Sequence, residues 1–418
     1  MIAKTTYDCV VIGAGPAGCA AAALIAQVGF DTLLVERAKF PRNHVGESLM
    51  PETFWTLERL GVLDRLRDEG FVRKVGVQFV DATGRNSQPF FFQQHDPREC
   101  SKTFHVERQE FDQLLFENAA EKGAECQDQT RVTSVDVRTT PNFLRLKTSD
   151  GNEHDITARV VVDASGQQSL LANQLKLKID NPDLHKASIW GYYQGAKRVG
   201  NDAEELTTIL HGDKKKSWFW HIPLTHDMVS IGLIADNEYL FKANDPITIF
   251  EDEVSRCPGV MERLDGARRV GDLEIAREFS YSTSQHAGDG WVLVGDAYGF
   301  IDPVYSTGVF LALRSGELAA DAIASGLAVD DVSAGQLGSW TEEFDAGVRR
   351  FRALVSAFYT KQFSFAAFLK QHPEHSSNLT DLLIGRAFTD AAARLCDDLV
   401  QAMERASTGD SSDTVSMP

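Results

Sequence analysis

The 418-residue chain lacks the basic surplus that general binding to nucleic acids or anionic membranes requires. Its 42 lysines and arginines stand against 60 aspartates and glutamates, which gives a net charge of −18. We therefore expect no nucleic-acid partner and no membrane partner. The sequence has no apolar run near the ~20 residues of a membrane-spanning helix, and no signal peptide precedes the first predicted strand. These absences favour a cytoplasmic protein.

Closely spaced cysteines are also absent. The six cysteines lie far apart and form no CxxC pair, so zinc binding and dithiol chemistry have no support and no metal site is predicted. The chain is too long for one simple core, and we expect two domains with a helical appendage.

The first forty residues have the pattern of a strand–helix–strand unit. Residues 7–12 are short, apolar and partly β-branched, which predicts a buried parallel strand. An Ala-rich helix follows and ends near Gln27, and residues 32–36 predict a second strand. The turn between the first strand and the helix reads Gly13-Ala-Gly15-Pro-Ala17-Gly18.

Each glycine of this turn has a physical reason. Gly13 allows the tight turn, Gly15 lets the backbone approach a pyrophosphate, and Gly18 lets the helix pack closely on the strand. The helix N-terminus favours the anion through its N–H groups and its dipole. Glu36 ends the second strand, where it would accept a ribose 2′-hydroxyl and repel a 2′-phosphate. The unit therefore predicts a dinucleotide site.

A later segment indicates which dinucleotide is bound. Residues 290–296 predict a buried strand that ends at Gly295-Asp296, and a proline-marked loop then leads to a helix from about Thr307 to about Ser325. Asp296 is placed to accept hydrogen bonds from the ribityl chain of a flavin. The Gly-Asp-Ala segment resembles the signature of the glutathione-reductase-like FAD monooxygenase superfamily, and the resemblance spans roughly residues 5–325. Segments 162–166 and 104–112 resemble the same superfamily, in which Arg108 would contact the cofactor.

The resemblance and the hydrophobic patterns together define an expected architecture. Residues 186–236 alternate in longer strands, which indicates an antiparallel sheet. We expect an α/β fold with a Rossmann-type FAD-binding domain (1–70, 100–175 and 275–330) that carries an inserted antiparallel-sheet substrate domain (71–99 and 176–274). A C-terminal helical region (331–405) and a disordered tail (406–418) complete the chain. Strands are also predicted at 75–80 and 88–92, and helices at 51–69 and 107–122.

Two segments narrow the resemblance to the flavin-dependent halogenases. Trp218-Phe-Trp220-His-Ile-Pro223 resembles their Trp-x-Trp-x-Ile-Pro signature, which in relatives lies near the flavin and separates it from the substrate. Gly70-Phe-Val-Arg-Lys74-Val-Gly76 resembles the segment that carries the halogenase lysine. Such a lysine can hold hypohalous acid beside the substrate, as an ammonium donor or as a neutral amine that forms a haloamine. Burial would lower its pKa and help either role.

Two further segments agree with this resemblance. Gly46-Glu-Ser48 resembles a loop that halogenases share with the geranylgeranyl-reductase group. Asp302-Pro303-Val-Tyr305-Ser306-Thr307-Gly308 opens a helix, and in halogenases chloride binds there, so Ser306, Thr307 and Gly308 are the expected halide site. Tryptophan halogenases carry a glutamate where this chain has Tyr305, which argues against free tryptophan as the substrate and favours the phenol- and pyrrole-type branch.

The resemblance implies a two-component enzyme. A separate NAD(P)H flavin reductase would supply FADH₂, O₂ would give the flavin hydroperoxide, and chloride or bromide would attack it to form hypohalous acid. Lys74, Trp218 and Trp220 are the expected catalytic residues. The substrate would be a small electron-rich aromatic, either free or tethered to an acyl or peptidyl carrier protein. The expected cofactor-binding residues are Gly13, Gly15, Ala17, Gly18, Glu36, Arg37, Ser48, Arg108, Asp296, Pro303 and Gly308.

Three alternatives remain open from the residues. An aromatic monooxygenase shares the fold, but it would have an arginine where this chain has Ala172. A geranylgeranyl-reductase-like enzyme would have phenylalanine in place of Ile222. A flavin-binding protein without catalysis is a third possibility. The isolated histidines His105 and His221 are interpreted as structural.

Overall fold

The computed structural model describes residues 2–200, 204–212, 217–241 and 245–408. In chain order, the elements up to the end of the first third are β1 (Thr6–Ile12), α1 (Pro16–Gln27), β2 (Thr32–Val35), α2 (Thr53–Leu60), α3 (Leu63–Asp68), β3 (Val72–Val80), β4 (Phe90–Phe91), α4 (Phe92–His95), β5 (Thr103–His105), α5 (Arg108–Glu121), β6 (Glu125–Gln127), β7 (Thr130–Asp136) and β8 (Asn142–Thr148).

The middle elements are β9 (Glu153–Asp163), α6 (Leu170–Gln174), β10 (Lys178–Gln194), β11 (Glu204–His211), β12 (Ser217–Pro223), β13 (Met228–Asp236), α7 (Asn237–Leu240), α8 (Pro246–Arg256), α9 (Pro258–Leu264) and β14 (Arg268–Thr283). The last elements are β15 (Ala287–Gly288), β16 (Trp291–Leu293), α10 (Thr307–Val329), α11 (Ala334–Leu337), α12 (Thr341–Tyr359), α13 (Phe365–Gln371), α14 (His375–Ile384) and α15 (Asp390–Thr408). Short 3₁₀ turns lie at Glu99–Ser101, Gly166–Gln168, Gly295–Ala297 and Pro303–Tyr305.

The first sheet is Rossmann-type. Its main order is β15-β16-β9-β1-β2-β6, with β7 and β8 as an antiparallel extension from β9. The strands β16, β9, β1, β2 and β6 run parallel to their neighbours in that order. Strand β1 is apolar along most of its length because the sheet is covered on both faces. The Ala-rich helix α1 is almost wholly buried, and it packs against α10 and α5. The predicted α/β fold is confirmed.

The second sheet has the order β14-β10-β13-β12-β11-β3-β4, and β5 pairs with β3. Its pairs are antiparallel except for the parallel pair of β11 with β3. The antiparallel sheet expected from residues 186–236 is therefore present, with β3 and β4 added from the earlier part of the chain. The domain boundaries drawn from the sequence stay a prediction.

The C-terminal part is helical, with α12 packed against α15. The helix α15 continues to Thr408, so residues 406–408 are helical, whereas the rest of the expected disordered tail lies outside the described residues. In the part of the chain that the structure describes, no helix combines the length and the apolar character needed to cross a membrane.

Several predicted element boundaries were wrong, including the start of the strand expected at 75–80, which begins at Val72. Of the strand expected at 88–92, only Phe90–Phe91 is extended, because Phe92 begins the short helix α4 and is buried. Of the strand expected at 290–296, only Trp291–Leu293 is extended, because Gly295 adopts φ +59° and begins a 3₁₀ turn. The helix expected to end near Ser325 continues to Val329, where Asp330 in the left-handed conformation ends it.

Candidate active site

The glycine turn after β1 has the close contacts that its spacing predicts. Gly13 adopts φ +101°, and a Cβ there would lie 2.4 Å from the carbonyl oxygen of Ala164. A Cβ on Gly18 would lie 1.9 Å from the carbonyl oxygen of Gly13, so α1 can approach β1 only with glycine at this position. At Gly15 a Cβ would meet nothing closer than Arg42 Nη2 at 3.8 Å. Packing therefore requires the first and third glycines, and the second faces open space.

Glu36 follows β2 at the edge of that space. Its side chain is buried, and the backbone holds its carboxylate: Ala14 N donates to Oε2 at 3.1 Å and Ala38 N donates to Oε1 at 2.9 Å. These two hydrogen bonds fix the carboxylate beside the glycine turn, where a ribose hydroxyl acceptor was predicted.

Two arginines share one buried carboxylate near the same turn. Arg108 donates from Nε and Nη2 to Asp112 at 2.8 and 2.9 Å, and Arg42 Nη1 lies 3.1 Å from the same carboxylate. Burial would raise the pKa of Asp112, but the two guanidinium groups hold this pKa below its ordinary value. Arg42 also donates to the carbonyl of Ala14 at 3.2 Å. Sequence reasoning missed Arg42, which belongs to no motif and gave no signal before the fold was known.

A cavity of about 400 Å³ extends from the glycine turn to the N-terminus of α10. Most of the predicted site residues line it: Gly13, Gly15, Ala17, Glu36, Arg37, Ser48, Arg108, Trp218, Trp220, Asp296, Pro303, Ser306, Thr307 and Gly308. Two predicted residues lie behind its wall, namely Gly18 within the packed turn and Lys74 in the second sheet. The fold thus brings motifs from both sheets to one cavity.

Asp296 lies in the 3₁₀ turn after β16, on the cavity wall. Burial raises the pKa of its carboxyl to about 6, and the charge of Arg108 acts in the opposite direction. The hydroxyl of Tyr281 donates to the backbone carbonyl of Asp296 at 2.5 Å and holds the turn in place.

These groups fit FAD. The space at Gly15 is a cradle that a Cβ would fill. Arg42 Nε is buried and makes no hydrogen bond among the described residues, although it lies 3.6 Å from Glu36 Oε2, and such a donor suits a side chain that would face a pyrophosphate. Glu36 would take the adenosine ribose and Asp296 the ribityl chain. When bound, the flavin supplies two-electron chemistry with O₂.

The N-terminus of α10 forms the other end of the cavity. Asp302 Oδ1 accepts from Val304 N at 2.9 Å, Ser306 adopts φ +59°, and the helix begins at Thr307. A Cβ on Gly308 would meet nothing within 4 Å. The first N–H groups of a 23-residue helix have no acceptor within the helix and favour an anion. The geometry suits the predicted halide site.

The two tryptophans of β12 form one wall of this end. Their ring centroids lie 6.4 Å apart, and their indole N–H groups are both bonded, Trp218 to Tyr359 Oη at 2.9 Å and Trp220 to Ser230 Oγ at 3.0 Å. A Cβ on Gly232 of β13 would lie 2.0 Å from the Trp220 ring, so glycine there makes room for the indole. The tryptophans are therefore fixed in orientation.

Tyr359 at the end of α12 joins three separate parts of the chain. Its hydroxyl accepts from Trp218 and donates to Asp302 Oδ2 at 3.0 Å. Burial raises the pKa of Asp302 to about 6, while the bond from Tyr359 acts to lower it. Sequence reasoning missed Tyr359, because nothing in its helical surroundings distinguishes it.

Lys74 lies on β3, and only 2% of its surface is exposed. Its Nζ donates to the carbonyl of Leu49 at 2.9 Å and lies 5.6 Å from the ring centroid of Phe92. Burial lowers the pKa of the amine to about 7, so the neutral form is accessible near neutral pH. Ser48, the residue before Leu49, lines the cavity, and the segment at 48–49 thus separates the lysine from it.

Comparisons with known proteins bear on the fold and the cofactor. Residues 6–328 match the family model described as an FAD binding domain. The 1H-pyrrole-2-carbonyl-[peptidyl-carrier protein] brominase of Pseudoalteromonas luteoviolacea is 31% identical over 92% of this chain and 93% of its own length. The tryptophan 2-halogenase of Chondromyces crocatus is 32% identical over 84% of this chain and 67% of its own length. The solved structure of the flavin-dependent brominase Bmp2 superposes with a TM-score of 0.85 at 28% identity, over 96% of this chain and all of that one.

Proposed function

This chain belongs to the flavin-dependent halogenases, and from that membership we propose that it halogenates a pyrrole or phenol ring tethered to a carrier protein, with Lys74 as the residue that directs the oxidant. The enzyme uses FAD as FADH₂, with O₂ and a halide. Family membership confirms the prediction of a halogenase over the hydroxylase, reductase and non-catalytic alternatives. A separate flavin reductase and a cytoplasmic location remain part of the proposal.

One observation carries the proposed role of Lys74. A buried amine with a pKa near 7 lies directly behind Ser48 and Leu49, whose segment forms the cavity wall next to Ser306. With bound FADH₂ and O₂ as the oxidant, halide at Thr307 and Gly308 would become hypohalous acid in the cavity. An amine that is partly neutral at working pH can form a haloamine, and its protonated form can donate a hydrogen bond to the oxidant.

Other side chains at this end would keep the oxidant from escaping. Trp218 and Trp220 cover one wall, with their indoles held by Tyr359 and Ser230. In this proposal they keep a substrate ring away from the flavin site, so the substrate would react on the side of the segment at 48–49 where Lys74 lies. The proposal separates oxidant formation from ring substitution in space.

The tethered pyrrole or phenol is supported by two observations. The brominase from Pseudoalteromonas luteoviolacea acts on a pyrrole carried on a peptidyl carrier protein, as its name states, and it matches this chain along almost its whole length. Tyr305 stands before Ser306 where tryptophan halogenases have glutamate, so this position supplies no carboxylate. Burial also raises the pKa of the Tyr305 phenol well above its ordinary value, so the side chain stays neutral. The tryptophan 2-halogenase is equally similar in identity, so free tryptophan belongs in the test.

The test supplies FADH₂ from a generic flavin reductase with NADH, in air and with bromide. Its panel contains pyrroles, phenols and tryptophan, each free, and the pyrrole and phenol acids also carrier-tethered. We expect a brominated tethered ring, detected by the bromine isotope doublet in mass spectrometry. Lys74→Ala should lose the product while it still consumes NADH and O₂, and Lys147→Ala, which removes an exposed lysine on β8, should behave as the wild type. Undiminished product from Lys74→Ala would contradict the role of Lys74, and bromination of free tryptophan alone would contradict the substrate.

A further inference from the structure

Four side chains form an unbroken hydrogen-bond chain from the N-terminus of α10 into the second sheet. Ser306 Oγ donates to Ser48 Oγ at 3.2 Å, Ser48 Oγ lies 2.8 Å from Thr207 Oγ1, and Thr207 Oγ1 lies 2.8 Å from His105 Nε2. Ser306, Ser48 and Thr207 line the cavity, whereas His105 is fully buried behind it. We call these four residues the hydroxyl chain.

The hydrogen bonds of the hydroxyl chain can all point one way or the other, depending on which atoms donate at its two ends. Each hydroxyl group has a single hydrogen. With Ser306 donating to Ser48, the arrangement in which each hydroxyl group donates its hydrogen to the next has Ser48 donating to Thr207 and Thr207 donating to the bare lone pair of Nε2. In this direction His105 carries its proton on Nδ1. The Ser306 hydrogen then points away from the predicted halide site.

We propose that halide binding at the N-terminus of α10 reverses the hydroxyl chain, so that Ser306 donates to the anion and His105 becomes the Nε2–H tautomer. The proposal rests on the halide site of the proposed function. A halide can only accept hydrogen bonds, so Ser306 can serve it only by turning its hydrogen outward. Ser306 then accepts from Ser48, Ser48 accepts from Thr207, and Thr207 accepts from Nε2–H.

The proton count is unchanged by this reversal. One proton leaves Nδ1 of His105 and one is taken up at Nε2, by exchange with solvent, while the three hydroxyl groups rotate. No bond other than these N–H bonds changes and the charge of the chain stays zero. In the reversed direction every member polarises the next toward the anion, and such cooperativity strengthens the terminal hydrogen bond.

The surroundings of His105 keep it neutral, which the switch requires. Burial lowers its pKa well below the ordinary value, and the charges of Lys74, His221 and Arg198 act in the same direction. A hydrogen bond with the backbone carbonyl of Pro223 acts to raise this pKa, but burial outweighs it. A neutral imidazole has only its two tautomers to exchange. His105 pairs with Val72 in the β3–β5 ladder, two residues from Lys74. The tautomer of His105 therefore depends on whether halide is bound, and His105 lies close to Lys74. Thr207 and His105 act as positioning residues.

The neighbouring threonine provides a matched control. Thr207 and Thr208 are both buried on β11, but Thr208 Oγ1 has no hydrogen-bond partner among the described residues. Thr207→Val cuts the hydroxyl chain with little change of shape, and Thr208→Val makes the same chemical change outside it. Thr207→Ser restores a hydroxyl group.

The test uses the protein loaded with oxidised FAD and labelled with ¹⁵N at the histidine rings, with His105→Asn to assign the signal. Bromide is titrated against gluconate at constant ionic strength. We expect Nε2 of His105 to change from unprotonated to protonated in the wild type, Thr208→Val and Thr207→Ser. We expect the change to be lost in Thr207→Val. Anomalous diffraction from bromide-soaked crystals reports separately whether bromide lies at Thr307 and Gly308.

The outcomes separate the two proposals. Bromide at α10 with an unchanged His105 tautomer would overturn the hydroxyl-chain inference and leave the halide site intact. A tautomer change that persists in Thr207→Val would also overturn it, because the signal would then travel by another route. Absence of bromide from Thr307 and Gly308 in the wild type would overturn the halide site itself, and the inference with it. If Thr207→Val does not fold, Ser306→Ala cuts the chain at its other end, and the same loss is expected while anomalous diffraction still shows bromide at Thr307 and Gly308.

Discussion

The two ends of the cavity are held by different kinds of contact. At the glycine-loop end, defined by Gly13, Gly15, Gly18 and Glu36, the determining contacts are made with backbone atoms. These four residues lie close together in sequence, although Gly13 also meets the carbonyl of the distant Ala164. At the α10 end, defined by Asp302, Ser306, Trp218 and Tyr359, the determining contacts join side chains from distant segments. Trp218 and Tyr359 are 141 residues apart, and Ser48 and Ser306 are 258 residues apart.

This difference explains which chemistry each end can support. Backbone contacts with glycine tolerate almost no substitution, so the glycine-loop end suits the invariant pyrophosphate of a cofactor. Side-chain contacts can be exchanged one at a time without loss of the fold. The α10 end is therefore where a protein of this fold can acquire a distinct reaction and substrate.

The largest expected effect contrasts two glycines within one turn. In Gly18→Ala, a Cβ 1.9 Å from the Gly13 carbonyl would force α1 away from β1. We expect the free energy of unfolding to fall by about 3 kcal/mol or more, measured by urea denaturation of the apoprotein. In Gly15→Val the new side chain meets open space, so we expect stability within about 1 kcal/mol of the wild type and loss of FAD from the purified protein.

These two variants would also reveal an error in the comparison. A yellow, FAD-loaded Gly15→Val protein would mean that the pyrophosphate lies elsewhere. A Gly18→Ala protein as stable as the wild type would mean that the backbone contacts at this end are adjustable, and the contrast with the α10 end would disappear.

Local sequence rules predicted the glycine-loop end almost completely. Strand β1, helix α1 and strand β2 lie within one residue of their expected bounds, because periodicity and the glycine spacing act over a few residues. The strand expected at 88–92 failed for the opposite reason. Phe92 leaves the strand pattern and packs near Lys74, and that contact is a property of the assembled second sheet.

The α10 end was only partly predictable. Lys74, Trp218 and Thr307 could be found because they stand in motifs that resemble those of a family. Tyr359 and Thr207 could not, because a tyrosine in a helix and a threonine in a strand acquire their partners only when the chain is folded. The same holds for the burial of Lys74, whose pKa depends on solvent exclusion by segments far away in sequence.

A substitution of Lys74 should change the free energy of unfolding in the opposite direction to a substitution of Gly18. Lys74→Met replaces a buried amine by an apolar side chain of similar length, and we expect it to stabilise the protein by about 2 kcal/mol near pH 6, in contrast to any change at Gly18. The wild-type Lys74 has a folded pKa of about 7, below its unfolded value, so the unfolded state binds more protons between these two values. Wild-type stability should therefore rise relative to Lys74→Met as pH rises above 7, by up to about 1.4 kcal/mol per pH unit.

The measurement is the difference in urea midpoint between the two proteins from pH 6 to pH 10, where contributions from other groups cancel. Lys147→Met, at an exposed position of β8, serves as the control and should show no such trend. A constant difference between wild type and Lys74→Met across this range would mean that Lys74 titrates as an exposed lysine does, and that its amine is not accessible in neutral form near pH 7.

The smallest expected effect tests whether the α10 end depends on single side-chain bonds. Tyr359→Phe removes the acceptor of Trp218 Nε1 and the donor to Asp302 Oδ2. We expect a loss of about 1 kcal/mol of stability, and a fall of about fivefold in product formed per FADH₂ consumed, since a barrier change of that size corresponds to such a factor. The Tyr359 hydroxyl lowers the pKa of Asp302, so its removal should raise this pKa further above 6.

The raised pKa of Asp302 determines how the stability difference between wild type and Tyr359→Phe changes with pH. A carboxyl group whose folded pKa lies above its unfolded value loses stabilisation as pH rises through the folded pKa. The stability difference between wild type and Tyr359→Phe should therefore be larger at pH 8, where Asp302 is ionised and accepts the bond, than at pH 5. Tyr239→Phe, which removes a hydroxyl bonded to Glu253 away from the cavity, should leave product yield unchanged. If both tyrosine variants lower the yield equally, Tyr359 acts through general stability, and the α10 end does not depend on its individual bonds.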